Sequence, residues 1–352
     1  MTTSLSAATS TEHRVIDALS QWLKQGQSAW LCTIVKTWGS SPRPAGSVLA
    51  FHSEYGIVGS LSGGCIEEAL IRKLSLASQN SSSINTPFLY DYAISTDDQV
   101  RYSLPCGGQL TILVEHLTAT AETIQHFNGI LDAFDNRQRI CREVSLKNGV
   151  MNLSPAVGIG CAVNEPGHAR DSTESVVTLF GPQFRMLLLG AGDVSYYVAQ
   201  IATTVDFSVT LCEPRKTFLQ GFKQEGAEVI QCLPDDLVRE RFSDPYCAVL
   251  ALAHDPRVDD MALMEALKTD AFYIGAMGSL RTSEDRRERL AQLDCSPAEI
   301  SQLHGPIGFD IGSKKPAEIA ISIMAQVLAE RQLLLNRLAG QCHTKPSGHR
   351  HQ

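Results

Sequence analysis

The chain has 352 residues, 43% of them apolar, which is long enough for about two domains with hydrophobic cores. Its formal net charge of −8 excludes the basic surface by which nucleic-acid-binding proteins hold phosphate. No apolar run approaches the length of a membrane span, so we expect neither nucleic acid nor membrane as a partner.

Both ends of the chain are polar, and we predict that residues 1–11 and 340–352 form disordered tails. The amino end has neither the basic nor the apolar segment of a secretory signal. The ten cysteines lack the regular spacing of disulfide-rich proteins and include no CxxC pair, which favours a reducing cytoplasm. Cys32, Cys212 and Cys247 lie in apolar runs and are predicted to be buried small hydrophobic residues.

The first predicted domain covers residues 12–117 and mixes helices with strands. Its predicted elements are a helix at 15–25, strands at 30–36, 47–51 and 56–60, a helix at 66–74, and strands at 88–93 and 109–115. The strands at 47–51 and 56–60 are expected to form a hairpin. Glu67 and Glu68 fall in the first turn of the second helix, where the helix dipole favours acidic side chains.

Residues 118–184 are predicted to connect this domain to a second one. They contain a helix at 121–134, a hairpin at 140–150 and a polar linker at 164–175. In the second domain, residues 185–332, strands alternate with helices, which predicts a doubly wound parallel sheet. Its charged helix at 281–293 is interpreted as mostly a solvated face.

The stretch 186–215 has the order strand, glycine turn, helix, strand and acidic residue of a dinucleotide-binding unit. Gly190 permits the tight turn, Gly192 lets the backbone approach a phosphate, and Glu213 can accept hydrogen bonds from a ribose hydroxyl pair. Asp193 lies where a phosphate would rest, and its carboxylate could instead cap the helix and repel an anion. The pattern predicts a Rossmann-like fold and leaves open a nucleotide, a pterin-like ligand or no ligand. Tyr197 is placed on the apolar stripe of the helix.

Two cysteines are flanked by paired glycines. Gly64 precedes Cys65 and Gly107 follows Cys106, and such glycines let the backbone come close to a ligand. Cys65 also opens a predicted helix, whose amino end favours a thiolate. The alternative is that both cysteines are merely small residues in tight turns.

Two further positions carry candidate chemistry. His254 follows a strand at the sheet edge where open α/β folds bind ligands, so it could donate to an anion, shuttle a proton, or cap the next helix. Arg43 lies in a proline-bearing loop and could hold a phosphate or carboxylate, or simply face solvent. Hydrolase and Walker motifs do not occur, and we assign no catalytic residue and no metal ligand.

Eight separated motifs in this chain resemble the XdhC/CoxI family, the molybdenum-cofactor maturation factors of xanthine dehydrogenase and its relatives. They are GSSPRPAG (39–46), GSLSGGCIEEAL (59–70), PCGG (105–108), LLLGAGDVS (187–195), CEPR (212–215), AHDPRVDD (253–260), YIGAMGS (273–279) and GPIGFDIGSKKPAEIAISI (305–323). The chain departs from the family at Asp193, where relatives often carry histidine, and at Ala253, where they often carry threonine.

The resemblance implies an N-terminal mixed α+β XdhC-type domain followed by a Rossmann-like domain. It also implies a cytoplasmic chaperone, without turnover of its own, that binds the molybdenum cofactor as molybdopterin or its cytosine dinucleotide form. Such a chaperone supports sulfuration of the cofactor by a cysteine desulfurase and delivers it to a xanthine dehydrogenase-type apo-molybdoenzyme. We expect a homodimer, the commonest symmetric assembly.

Under this interpretation, Cys65 and Cys106 suit a soft metal centre or sulfur handling, and the turn at Gly190 and Gly192 suits the phosphate end of the cofactor. The candidate cofactor-binding residues are Arg43, Gly64, Cys65, Cys106, Gly107, Gly190, Gly192, Glu213 and His254.

Two alternatives come from other functional classes. An NAD(P)-dependent oxidoreductase would use Gly190, Gly192 and Glu213 for its cofactor and His254 for proton transfer. A purely structural partner of a molybdoenzyme would bind that enzyme without carrying cofactor. The oxidoreductase leaves the two glycine-flanked cysteines and the whole first domain unexplained, so the chaperone is preferred.

Overall fold

The computed structural model describes residues 10–38, 43–64, 66–79, 86–92, 109–156, 162–163, 175–222, 224–253 and 255–340. The predicted tails, apart from residues 10–11 and 340, and the predicted linker up to residue 174 lie outside these ranges. The described helices include none that is both long and apolar enough to cross a membrane. The chain divides into two compact units, whose main parts are Thr11–Pro182 and Gln183–Arg337.

The described elements of the first unit alternate between helices and short runs of strands. They are α1 (Thr11–Lys24), β1 (Ala29–Trp38), β2 (Val48–His52), β3 (Gly56–Gly59), α2 (Glu67–Gln79), β4 (Phe88–Tyr92), β5 (Gln109–Leu117), α3 (Ala121–Asp135), β6 (Ile140–Ser145), β7 (Met151–Pro155), β8 (Ala162–Val163) and β9 (Ser175–Phe180). The helices and strands predicted between 12 and 117 are all present, and α2 runs on to Gln79.

Five strands of the first unit form an antiparallel sheet in the order β3-β2-β1-β5-β4. Alternate side chains of β1 enter different cores, as a strand with a period of two requires. Trp30 and Cys32 pack in one cluster with Leu70 of α2, whereas Leu31 packs in another with Phe127 of α3. The sheet is therefore covered by helices on both faces.

The other strands of the first unit form a second antiparallel sheet in the order β7-β6-β9-β8. The predicted hairpin is present as β6 and β7. Strand β9 was not predicted, although it pairs with β6 along its whole length, from Ile140 opposite Phe180 to Ser145 opposite Ser175. Its register with β6 is a long-range contact that local sequence pattern does not display.

The second unit alternates strands and helices throughout. Its described elements are β10 (Arg185–Leu189), α4 (Asp193–Thr204), β11 (Ser208–Cys212), α5 (Lys216–Leu219), β12 (Ala227–Ile230), α6 (Pro234–Arg241), β13 (Cys247–Ala251), α7 (Pro256–Ala266), β14 (Tyr273–Ala276), α8 (Leu280–Gln292), α9 (Pro297–Ile300), β15 (Leu303–His304) and α10 (Pro316–Gly340). The strands are all parallel, in the order β12-β11-β10-β13-β14-β15. The predicted doubly wound parallel sheet is confirmed.

Both faces of this sheet are buried, which explains why its strands are apolar without alternation. Leu187 and Leu189 of β10 pack with residues of α6, α7 and α8, and Met186 and Leu188 pack with residues of α4 and α10. The predicted inward position of Tyr197 is wrong, because its side chain is 37% exposed. The buried residues of α4 are Ser195, Val198, Ala199 and Ala202.

A buried ion pair links the two sheets of the first unit. Arg142 of β6 is fully buried and donates two hydrogen bonds to Glu115 of β5, at 2.9 and 2.7 Å. Its Nε also donates to His126 of α3 at 3.0 Å. Burial and the Arg142 charge lower the pKa of His126 to about 3, so this ring stays neutral and can accept.

We predict that Arg142→Met lowers the free energy of unfolding of this unit by about 3 to 5 kcal/mol, because Glu115 is left charged and buried without a cation. The double variant Arg142→Met, Glu115→Leu should recover most of the loss. The three tryptophans, Trp22, Trp30 and Trp38, all lie in this unit, so tryptophan fluorescence in urea follows its unfolding. Equal losses in the single and double variants would contradict this account.

Candidate functional site

The glycine turn after β10 is held against the loop after β13. Gly190 has a φ of +98°, and a Cβ built on it would lie 2.5 Å from the Cα of Ala253. The predicted tight turn is therefore present, and glycine is required by both backbone conformation and space. Strands β10 and β13 are adjacent where the strand order reverses, which is the position where open α/β sheets bind ligands.

The amino end of α4 is open. Gly192 is its N-cap residue, and among the described residues no side chain caps the helix and no atom lies within 4 Å of a Cβ added to Gly192. The hypothesis that Asp193 caps this helix is wrong, because Asp193 is the first helical residue and its side chain is exposed. Uncapped amides at a helix amino end are suited to an anion, as predicted for this turn.

Glu213 closes the turn from the side of β11. Its carboxylate is fully buried and accepts a hydrogen bond from the backbone N–H of Ala191 at 3.2 Å. Arg215 donates to the same carboxylate from its backbone N–H, Nε and Nη2, at 2.9, 2.7 and 2.8 Å. Burial alone would raise the pKa of Glu213, but these hydrogen bonds outweigh it and lower the pKa.

Arg215 extends this arrangement to the next loop. Its guanidinium lies 4.0 Å from the ring centre of Phe218 and 3.6 Å from the carboxylate of Asp255. Asp255 caps α7 by accepting from the backbone N–H of Arg257 at 3.1 Å. The cap of α7 is thus Asp255, not His254 as one interpretation held; His254 itself lies outside the described residues.

A buried ionic network fixes the loops after β13 and β14. Asp259 accepts from the backbone N–H of Ala253 and from Nη2 of Arg286, both at 3.3 Å. Arg286 also donates to Asp260 and to the backbone oxygen of Met277, both at 3.1 Å. Burial raises the pKa of Asp259 to about 6 against the opposing charge of Arg286. Most of the helix at 281–293 is exposed, as predicted, but Arg286 is an exception and is 2% exposed.

In the first unit, a buried carboxylate organises the loop before Cys65. Glu67 of α2 is 4% exposed and accepts hydrogen bonds from six donors. They are Ser60 Oγ, the backbone N–H groups of Leu61, Ser62, Gly63 and Gly64, and Ser62 Oγ. The amides can converge because Gly63 and Gly64 have φ values of +83° and +123°. The sequence showed an acid in the first helical turn but not this ring of donors.

These hydrogen bonds stabilise the ionised form of Glu67. Burial by itself raises the pKa of this carboxyl, but the hydrogen bonds from Ser62, Ser60 and Leu61 outweigh burial and lower it to about 2. Gly64, bonded to Glu67 at 2.9 Å, therefore has a fixed amide directly before Cys65 in the chain.

The structure brings together three of the predicted site residues, Gly190, Gly192 and Glu213. Arg43 lies half-buried between β1 and β2, in the same unit as Gly64. Cys65, Cys106, Gly107 and His254 lie outside the described residues. Within the described ranges, no group of three or more His, Cys, Asp or Glu side chains is arranged to hold a metal ion.

Two models of the same family together match more than half of the chain. The model described as the XdhC Rossmann domain matches residues 186–327, and the model described as the XdhC and CoxI family matches residues 22–84. The chain belongs to the XdhC/CoxI family. The first match covers the glycine turn, Glu213 and the Asp259 network, and the second covers Arg43 and the Glu67 loop.

Curated relatives match nearly the whole chain. One, from Bacillus subtilis (strain 168), is described as a probable xanthine dehydrogenase subunit; it is 24% identical over 91% of this chain and 97% of that protein. Another is the molybdenum cofactor insertion chaperone PaoD of Escherichia coli (strain K12), which is 23% identical over 91% of this chain and 89% of that protein.

A solved structure shows the same fold. It is a protein from Bacillus halodurans described as a xanthine dehydrogenase, with a TM-score of 0.68 and 24% identity. The alignment covers 95% of this chain and 97% of that one. The likeness therefore covers residues of both units.

The two glycines of the turn provide a matched pair of substitutions. Gly190→Ala should lower the free energy of unfolding by about 2 kcal/mol or more, because its positive φ disfavours a side chain and the added Cβ meets Ala253. Gly192→Ala should change stability by less than about 1 kcal/mol, because its Cβ meets open space. Calorimetric unfolding of both variants measures this difference. Equal stabilities would contradict the described turn.

The carboxylate of Glu67 should make stability depend on pH. Because its pKa is about 2 when folded and 4.5 ordinarily, the unfolded state binds more protons, and stability falls as pH drops from about 4.5 to about 2. Glu67→Gln should cost about 3 kcal/mol at neutral pH and progressively less across that window.

Glu68→Gln is the matched control for Glu67. Glu68 is 81% exposed and pairs with Arg72 on the helix surface at 3.1 Å, so its loss should have little effect on stability. Urea unfolding followed by tryptophan fluorescence between pH 7 and pH 3 separates the two variants. A Glu67→Gln loss that stays constant over this range would refute the ionised role of Glu67.

Proposed function

We propose that this member of the XdhC/CoxI family is a molybdenum-cofactor maturation factor. It binds the cofactor as cargo, supports its sulfuration by a cysteine desulfurase, and passes it to a xanthine dehydrogenase-type apo-molybdoenzyme. The proposal is supported by relatives named as a cofactor insertion chaperone and as a probable xanthine dehydrogenase subunit, each aligned over 91% of this chain.

The observation that carries the proposal is the uncapped amino end of α4 at the glycine turn. The amino end of α4 at Gly192 is uncapped and open, which suits the phosphate of a pterin cofactor. Arg215 lies 31% exposed beside it, with its guanidinium paired with Glu213 and 3.6 Å from Asp255. The amides at the amino end of α4 thus fit an anionic group of the cargo, and the exposed Asp193 in the first turn is the charge that opposes it.

The same edge fits a nicotinamide dinucleotide poorly. In such a fold, the acid after the second strand accepts hydrogen bonds from a ribose hydroxyl pair. Here Glu213 is fully buried, and Arg215 and Ala191 already donate to both of its oxygens. The NAD(P)-dependent oxidoreductase is therefore the weaker hypothesis.

In this proposal, the two glycine-flanked cysteines supply the groups for the metal of the cargo. Cys65 and Cys106 provide soft sulfur donors of the kind that molybdenum and sulfur transfer favour, with Gly64 and Gly107 keeping their surroundings open. Glu67 contributes by fixing the amide of Gly64. Arg43 and His254 are proposed to hold anionic or polar groups of the cofactor.

Several finer points belong to the same proposal. The chain acts as a homodimeric carrier with no turnover of its own, and its cargo is molybdopterin or the cytosine dinucleotide form. The dinucleotide form carries an additional phosphate and a base, so the two forms differ in what they offer to Arg215 and the edge around it.

Activation of an apo-enzyme tests this proposal. Apo-xanthine dehydrogenase is incubated with molybdenum cofactor, cysteine desulfurase and cysteine, with and without this chain. The chain should raise the activity gained at least tenfold, because a carried cofactor is protected and delivered. Cys106→Ala should remove most of that gain.

Cys295→Ala is the control, because it removes one buried thiol far along the chain from both glycine-flanked motifs. It should activate the apo-enzyme as the wild-type chain does. Activation that is independent of the chain, or equal for the Cys106→Ala and wild-type proteins, would count against the proposed function.

A further inference from the structure

A pair of thiols lies beside the glycine turn of the second unit. The sulfurs of Cys212 and Cys232 are 3.5 Å apart, and the Cys212 thiol donates to the backbone oxygen of Cys232 at 3.4 Å. Both cysteines are free thiols in the structure. A disulfide has a sulfur separation of about 2.05 Å, so the two sulfurs must approach by about 1.5 Å to form one.

The parallel register of the sheet creates this juxtaposition. Cys212 is the last residue of β11 and pairs with Ile230, the last residue of the edge strand β12. Cys232 follows two residues later, before α6 begins at Pro234, and packs against the same core cluster as Ile230. The two thiols are therefore 20 residues apart in sequence and are brought together by strand pairing.

We propose that Cys212 and Cys232 form an oxidant-sensitive dithiol site that closes reversibly to a disulfide at the carboxyl edge of the Rossmann sheet. The oxidant is a peroxide, and the reductant that reopens the bond is a small thiol. This inference does not rest on the proposed function.

The difference in exposure sets the order of the two steps. Cys212 is fully buried, whereas Cys232 is only partly buried. Burial is the main cause that raises the pKa of the Cys212 thiol, and its contact with Cys232 is the second. The Cys232 thiolate attacks one oxygen of hydrogen peroxide, the O–O bond breaks, and a sulfenic acid forms. The leaving hydroxide takes up the proton that the thiol lost and departs as water. The Cys212 sulfur then attacks the sulfenic sulfur, and a second water leaves.

The position of the site gives it a direct connection to the turn. Cys212 immediately precedes Glu213, whose carboxylate holds the N–H of Ala191 and the guanidinium of Arg215. A disulfide at Cys212 would therefore constrain the end of β11, which positions Glu213 at the glycine turn.

Peptide mapping of the full-length chain tests the proposal. The reduced protein is treated with hydrogen peroxide, blocked with N-ethylmaleimide, and digested with trypsin without reduction. After cleavage, Cys212 is the only cysteine of the peptide 186–215, and Cys232 is the only cysteine of the peptide 224–239. The expected product is these two peptides linked, two hydrogens lighter than their sum, and separated by dithiothreitol.

Two variants sharpen the outcome. Cys232→Ser should abolish the linked species, and Cys295→Ser, which removes a buried thiol elsewhere in the same unit, should retain it. Recovery of Cys232 as an unlinked, oxidised residue with Cys212 still a free thiol would overturn the proposal. Linkage of Cys232 to a different cysteine would do the same.

Discussion

The contact between Gly190 and Ala253 is the constraint on which the second unit's site depends. A left-handed turn at Gly190 brings the backbone after β10 so close to the backbone after β13 that a Cβ added to Gly190 would lie 2.5 Å from the Cα of Ala253. A side chain at position 190 therefore does not fit between the two loops. The opening at Gly192 is then defined by the protein backbone rather than by adjustable side chains.

Three carboxylates hold this surface in place, and two of them, Glu213 and Asp259, are fully buried. Glu213 binds the N–H of Ala191, Asp259 binds the N–H of Ala253, and Asp255 caps α7. Each is satisfied by an arginine as well, which is the condition under which buried charge is tolerated. Glu67 does the same for the loop before Cys65 in the first unit, with hydroxyls and amides in place of an arginine. In both units, the groups next to the candidate residues are preorganised before a ligand binds.

The fold could be predicted largely because local pattern determines most of it. Four apolar residues followed by Gly190 predicted β10 and its turn, and the strand–helix alternation predicted the parallel sheet. Strand β9 was missed because its residues lie 30 to 40 positions after their partners in β6, from Ser145 opposite Ser175 to Ile140 opposite Phe180. Over such a separation, the local hydrophobic pattern carries no information about strand pairing.

The site could be predicted only in part, because residue type does not reveal hydrogen-bond partners. Glu213 was placed correctly at the end of β11, but its sequence position does not show that Arg215 occupies both of its oxygens. Glu67 resembled any acid in a first helical turn, and Arg286 resembled any residue of a charged solvated helix. Their burial became visible only when the fold had brought their partners together.

The central claim is that this chain carries the molybdenum cofactor, and its cargo can be measured directly. The full-length protein is purified anaerobically, incubated with excess cofactor, and assayed for molybdenum by mass spectrometry and for pterin by fluorescence after oxidation, with retained nicotinamide measured in parallel. The account predicts molybdenum and pterin in equal amounts near one per chain, and no retained nicotinamide. Retained nicotinamide without pterin would contradict the account and favour the oxidoreductase.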